Sequence, residues 1–184
     1  MNTQAHNKNK TLGQKPPLTY EQVQAIKIML VQIGTPRDRA LFLLAIDSSL
    51  RSHDLLRLRV SDVMAAGEVL STITVKPSKT KEGTGESVIF EPIPYTRQLL
   101  KELIDAEDKY PHEYFFVRSK PPRLLTAAKT HLTERAYQNL VKKWVGYLGL
   151  APALYGTHSL RRTRPAYIYA QTKNLRACQR ILGH

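Results

Sequence analysis

Apolar residues recur at helical spacing along most of this 184-residue chain, and the stretch from Val69 to Phe90 breaks that rhythm. There the pattern alternates through Leu70, Ile73 and Val75, and Val88, Ile89 and Phe90 follow a Lys- and Gly-rich turn from Lys76 to Gly85. Two such runs about a turn predict a β-hairpin. With helical spacing elsewhere, the expectation is a mixed α+β fold, mainly helical, with a small antiparallel β-hairpin or sheet on one edge.

The helical segments carry their own punctuation. Residues 1–16 are polar and closed by Pro16-Pro17, which reads as a flexible tail or linker, leaving 17–184 as one domain. Thr19 with Gln22 suits a capping box, and Val23, Ile26, Leu30 and Ile33 then keep helical spacing up to Gly34. Thr35-Pro36 reads as the cap and first residue of a second helix, whose run from Ala40 to Ile46 marks it as a core element. Arg51 falls where that helix gives way, with Ser52 as the expected cap of a short further helix. Further on, Leu99 to Ile104 predicts a helix, Tyr114 to Val117 a short strand, Arg118 to Lys129 a basic loop, and Tyr137 to Leu148 a helix ended by Gly149. Two last helices are expected near His158 to Ala170 and Asn174 to Leu182, the first kinked or restarted at Pro165.

Charge points to a partner. The chain has 28 Lys and Arg against 15 Asp and Glu, and residues 135–184 hold nine of the cations and no acid. Such a face suits a polyanion. The lone Cys178 excludes an internal disulfide and a cysteine zinc site, and is expected to be a small core residue. The longest strong apolar run, Ala40 to Ile46, is too short to span a membrane, and the polar N-terminus lacks a signal peptide's apolar core, so a cytoplasmic, nucleoid-associated protein is expected.

Within the basic third, His158 and Arg161 lie one helical turn apart, so both can face one bound phosphodiester. Leu182-Gly183-His184 follows two dozen residues later, Leu50-Arg51 with Asp54-Leu55 precedes, and Lys79 or Lys81 sits in the hairpin turn between. Arg, hairpin Lys, His-x-x-Arg and Leu-Gly-His in that order resemble the tyrosine recombinase (phage integrase) family over about Leu18 to His184, with Asp54 replacing the family's usual glutamate. The resemblance implies a recombinase catalytic-domain fold and a catalytic set of Arg51, Lys79, His158, Arg161 and His184; Lys81 competes with Lys79. It further implies a tyrosine attacking DNA to form a 3′-phosphotyrosine, the arginines stabilising the phosphorane charge, Lys79 protonating the leaving 5′-oxygen and His158 assisting proton transfer. No metal or other cofactor is implied.

The family's nucleophile lies roughly nine residues beyond its second histidine, so the domain is expected to be incomplete at its C-terminus and inactive in cleavage as given. Tyr167 and Tyr169 are read as packing residues. Lys81, Arg118, Lys120, Arg123, Lys129, Arg162 and Arg164 are candidate DNA contacts. The expected partner is double-stranded DNA, from a phage or plasmid mobile element, with the full-length protein tetrameric on DNA and this chain monomeric off it. The alternatives are a non-cutting relative that occupies recombination sites and, more remotely, a basic RNA-binding protein.

Overall fold

A computed structural model describes residues 14–77, 87–118 and 130–183. The first two helices, α1 (Tyr20–Ile33) and α2 (Pro36–Ser48), begin on threonine caps. The Thr19 and Gln22 side chains satisfy each other's backbone N–H groups, and Thr35 Oγ1 accepts from Asp38 N at 3.1 Å ahead of Pro36. Helix α2 is buried from Ala40 to Ser48, as its apolar run predicts, and packs against α5 (Pro94–Ala106) and α7 (Thr157–Thr172). Phe42 from α2 meets Trp144 of α6 (Glu134–Tyr147) edge to face, with ring centroids 5.5 Å apart.

Between α2 and α5 lie two short helices, α3 (Ser52–Leu56) and α4 (Val60–Val63), and two antiparallel ribbons. The expected hairpin is β3 (Ile73–Val75) paired with β4 (Val88–Phe90), in the register Ile73 to Phe90. Val69 is not part of it. It pairs with Met64 in a separate ribbon, β1 (Met64–Ala65) with β2 (Glu68–Val69), turned by Ala66 and Gly67 at φ 51° and 82°. Positive φ at both turn residues matches the right-handed twist of the strands they join. The Tyr114 to Val117 segment forms isolated bridges to Arg59 and His131 in place of the predicted strand. Its backbone is shared between two partners, Phe115 N donating to Leu58 O and Leu132 N to Phe116 O.

Two predicted caps turn out differently. Ser52 is the first helical residue of α3 and Arg51 occupies the cap position, because the Ser52 hydroxyl donates to Glu134 Oε2 at 2.7 Å across to α6. Asn174 does cap α8 (Leu175–Leu182), accepting from Ala177 N at 3.0 Å. Pro165 neither ends nor starts α7, which continues through it to Thr172. The missing N–H at Pro165 falls opposite the Arg161 carbonyl, one turn back, so the helix forgoes that one bond. Cys178, half-buried and not in the core, donates its thiol to Pro165 O at 3.4 Å and helps pin α8 against α7.

Candidate active site

The site begins at the end of α2. Ser49 turns the chain with a left-handed backbone, φ 49° and ψ 24°. Leu50 then anchors in the core, and Arg51 emerges half-buried at the start of α3. Asp54, one turn into α3, is buried and lies close enough to Arg161 to favour its charged form. The short Asp54 carboxylate is thus within electrostatic reach of Arg161.

His158 and Arg161 come from the first two turns of α7. That helix opens at Gly156, whose N–H donates to Ser159 Oγ at 3.2 Å, and Ser159 and Leu160 are buried beneath it. The Leu160 side then fixes the core face, which leaves His158 exposed on the side that Arg51 occupies. Arg161 is 8% exposed. Its Nη1 donates to Ser49 O at 2.8 Å and its Nη2 to Leu182 O, at the end of α8, at 2.7 Å.

Positive charge converges here. Burial first, then the Arg51 charge, pushes Arg161 down from 12.5 to about 10, with Arg162 adding to the fall. Burial, followed by Arg162, Arg161 and Arg51, holds His158 below the usual histidine value of 6.5, while Glu134 alone among its neighbours pulls the other way. At neutral pH His158 is therefore a neutral imidazole among guanidiniums, able to accept a proton or a hydrogen bond. Glu134 also receives the Ser52 hydroxyl and faces His53, Nδ1 to Oε1 being 3.7 Å. Composition alone did not single out Glu134 or His53. The available signal was position, since Glu134 is the last acid before the acid-free stretch and His53 is two residues from Arg51.

The other proposed contacts divide. Arg118 is exposed at the edge of the described residues, and its backbone bridges to Thr130. Arg162 donates to Lys15 O at 2.9 Å, which ties the end of the N-terminal segment to α7. Arg164 points inward to the carbonyls of Asp47 and Glu91. Asp47, whose carboxyl burial pushes upward, accepts from Ile93 N at 3.1 Å in the same network. Lys79, Lys81, Lys120, Arg123, Lys129 and His184 lie outside the described residues.

All nine tyrosines are described, and each has its environment elsewhere. Tyr167 packs its ring on Tyr20 at 6.4 Å, and burial pushes its hydroxyl up to about 12. Tyr169 is exposed and not packed in the core as expected; it lies under Lys173, two helical turns beyond Arg161 and so about 12 Å along the axis. Tyr137 is buried in the core, Tyr155 meets Gln22, and Tyr95, Tyr114 and Tyr147 lie beneath Lys27, Arg59 and Lys143. Tyr110 stacks on His112. Among the described residues no three His, Cys, Asp or Glu side chains are grouped as metal ligands, and no helix is long and apolar enough to cross a membrane.

The Phage integrase family profile matches residues 17–184. The chain belongs to that family. It is 32% identical over 172 residues to a probable integrase/recombinase, YoeC, of Bacillus subtilis strain 168, covering 92% of this chain and 83% of that protein. It is 28% identical to the tyrosine recombinase XerD of Xanthomonas campestris pv. campestris, covering 91% of this chain and 51% of XerD. Solved structures of the same fold include the XerH site-specific recombinase on a palindromic difH substrate (TM-score 0.70, 22% identity, 96% of this chain and 49% of XerH). The Tn1549 transposon integrase in complex with circular intermediate DNA is another (TM-score 0.69, 17% identity, 92% and 59%). The chain thus spans about half the length of XerD and XerH. The phage integrase fold accounts for the mainly helical body with small antiparallel ribbons, as the motif order implies.

Proposed function

We propose that this chain is the catalytic domain of a site-specific DNA recombinase or integrase, and that Arg51, His158 and Arg161 hold the scissile phosphate. The observation that carries the reading is the convergence of Arg51, Arg161 and Arg162 on His158, each charge opposing the protonation of its neighbours. Three guanidiniums gathered about one imidazole favour an anion, and a planar guanidinium can grip phosphate oxygens without losing its proton.

In the reaction so assigned, a tyrosine Oη attacks the scissile phosphorus, the bond to the 5′-oxygen breaks, and a 3′-phosphotyrosine forms. Arg51 and Arg161 bind the non-bridging oxygens as charge accumulates on them. His158, neutral beforehand, accepts the hydroxyl proton or steadies the phosphorane. Lys79 is assigned the proton delivered to the leaving 5′-oxygen, and His184 a hydrogen bond to the phosphate. None of the nine tyrosines meets this cluster, so the attacking hydroxyl is assigned to a segment outside these 184 residues. The full-length protein is proposed to work as a tetramer on duplex DNA, in the cytoplasm.

The experiment uses a suicide DNA carrying the recombination site of the parent element. The 184-residue chain should give no denaturant-stable adduct. A protein extended through the natural downstream sequence should give one, reduced by several orders of magnitude in Arg51→Ala or Arg161→Ala. An extended protein that binds the site yet never forms the adduct would establish the non-cutting relative instead. An adduct on Tyr167 or Tyr169 of the 184-residue chain would overturn the assignment of the nucleophile.

A further inference from the structure

Arg161 reaches the site as a clamped side chain. Arginine has five N–H donors in one rigid plane. Two of the five are committed to the carbonyls of Ser49 and Leu182, at 2.8 and 2.7 Å, so these two carbonyls set the direction in which the remaining donors point. The Ser49 carbonyl is available to Arg161 because Ser49 is left-handed, at φ 49°. That conformation costs a serine what it would not cost a glycine.

The surroundings hold this backbone in place. Ser49 is fully buried, its hydroxyl lies 3.4 Å from Ile46 O, to which it donates, and Ser48 Oγ accepts from Leu50 N at 3.3 Å. The same turn sends the chain on to Arg51 two residues later. One backbone conformation therefore sets the departure of one arginine and the orientation of the other.

We propose that Ser49 is a positioning residue for the phosphate site, acting on Arg161 through its main-chain carbonyl, so that backbone conformation at this position matters and the hydroxyl does not touch DNA. This rests on the reading of Arg161 as a phosphate ligand.

The test is the salt dependence of binding to a short fluorescein-labelled duplex of arbitrary sequence, followed by anisotropy. Losing one phosphate contact lowers the slope of log K against log salt concentration by about one. Arg161→Ala should show that loss. Ser49→Val, whose branched side chain opposes positive φ, should show a similar loss, while Ser49→Gly, which adopts it freely, should keep the wild-type slope. The double variant Ser49→Val with Arg161→Ala should fall no further than Arg161→Ala alone, because Ser49 acts through Arg161; general damage to the fold would add. A folded Ser49→Val protein with the wild-type slope, or a further fall in the double variant, overturns the proposal. If Arg161→Ala itself leaves the slope unchanged, the phosphate-site reading fails and the role of Ser49 with it. Should Ser49→Val not fold, through-hydrogen-bond coupling between Arg161 Nη1 and the Ser49 carbonyl carbon decides on the wild-type chain. It should persist when the duplex is added, and its loss would refute the clamp.

Discussion

Replacing Arg161 with alanine should cost the fold less than its burial suggests. The fall in its pKa from 12.5 to about 10, caused by burial and by Arg51, makes the charged side chain about 3 kcal/mol less favourable in the protein than in water. Against that stand two charge-assisted hydrogen bonds, to Ser49 O and Leu182 O, each contributing about 1.5–3 kcal/mol. The two effects offset to a net loss of roughly 0–3 kcal/mol, and a chain of this size loses about 2–4 °C of Tm per kcal/mol. The adjacent Leu160 is 1% exposed and has no such penalty to relieve. Leu160→Ala should cost about 2–5 kcal/mol from lost burial and the cavity left behind. Urea and thermal unfolding followed by circular dichroism will rank the two, with Arg161→Ala the more stable and yet the weaker DNA binder. An Arg161→Ala protein that unfolds at or below Leu160→Ala would show that Arg161 is held for stability and that the charge-strain argument is wrong.

Two further outcomes follow from the same geometry. Because burial and then three arginines hold His158 below 6.5, a bound phosphate should raise its pKa; binding takes up a proton, and duplex affinity at fixed ionic strength should rise as pH falls through the region below 6.5. His158→Ala should abolish that rise, and a wild-type affinity flat with pH would sink the idea. Folding alone has the opposite dependence: unfolded His158 binds its proton more tightly than folded, so its contribution to stability is lost as pH falls past 6.5. Gly183, at φ 67°, caps α8 where an added Cβ would stand 2.9 Å from Val88 Cγ2. Gly183→Ala should therefore cost about 1–2 kcal/mol from the left-handed backbone alone and speed hydrogen exchange across α8. Unchanged α8 protection would refute it.

What could be read from sequence was what the chain decides locally. The Thr19–Gln22 box, the Thr35-Pro36 start and the Asn174 cap each close a hydrogen bond within three residues, and all three appear in the fold. Ser52 satisfies the same local rule and was captured by a distant partner, Glu134, which no window around α3 contains. The ribbon at Met64 to Val69 was missed because its two-residue strands have too few positions to show alternation, although Ala66-Gly67 marks its turn. Arg51, His158 and Arg161 stand out in the sequence by residue type and order, and the fold brings the three within electrostatic reach of one another; their chemistry is the proposal. Ser49 was not, since what it contributes is a carbonyl that every residue has. Only the left-handed turn of α2 makes that carbonyl particular.

The acid-free C-terminal stretch gains a physical reason from this arrangement. Helix α7 brings Arg161 and Arg162 to a place where Arg51 already stands, and the acids within electrostatic reach of the cluster, Asp54 and Glu134, come from α3 and α6. Glu134 is occupied by Ser52 and His53, and Asp54 is buried beside Arg161. An Asp or Glu on the exposed face of α7 or α8 would stabilise the empty protein by pairing with an arginine and thereby compete with a DNA phosphate for the same donors. A site built to bind phosphate must leave some of its charge unsatisfied until the phosphate arrives. Burial is the larger cause of the depressed protonation of His158 and Arg161, Arg51 and Arg162 add to it, and on the proposed reading a bound phosphate offsets that charge.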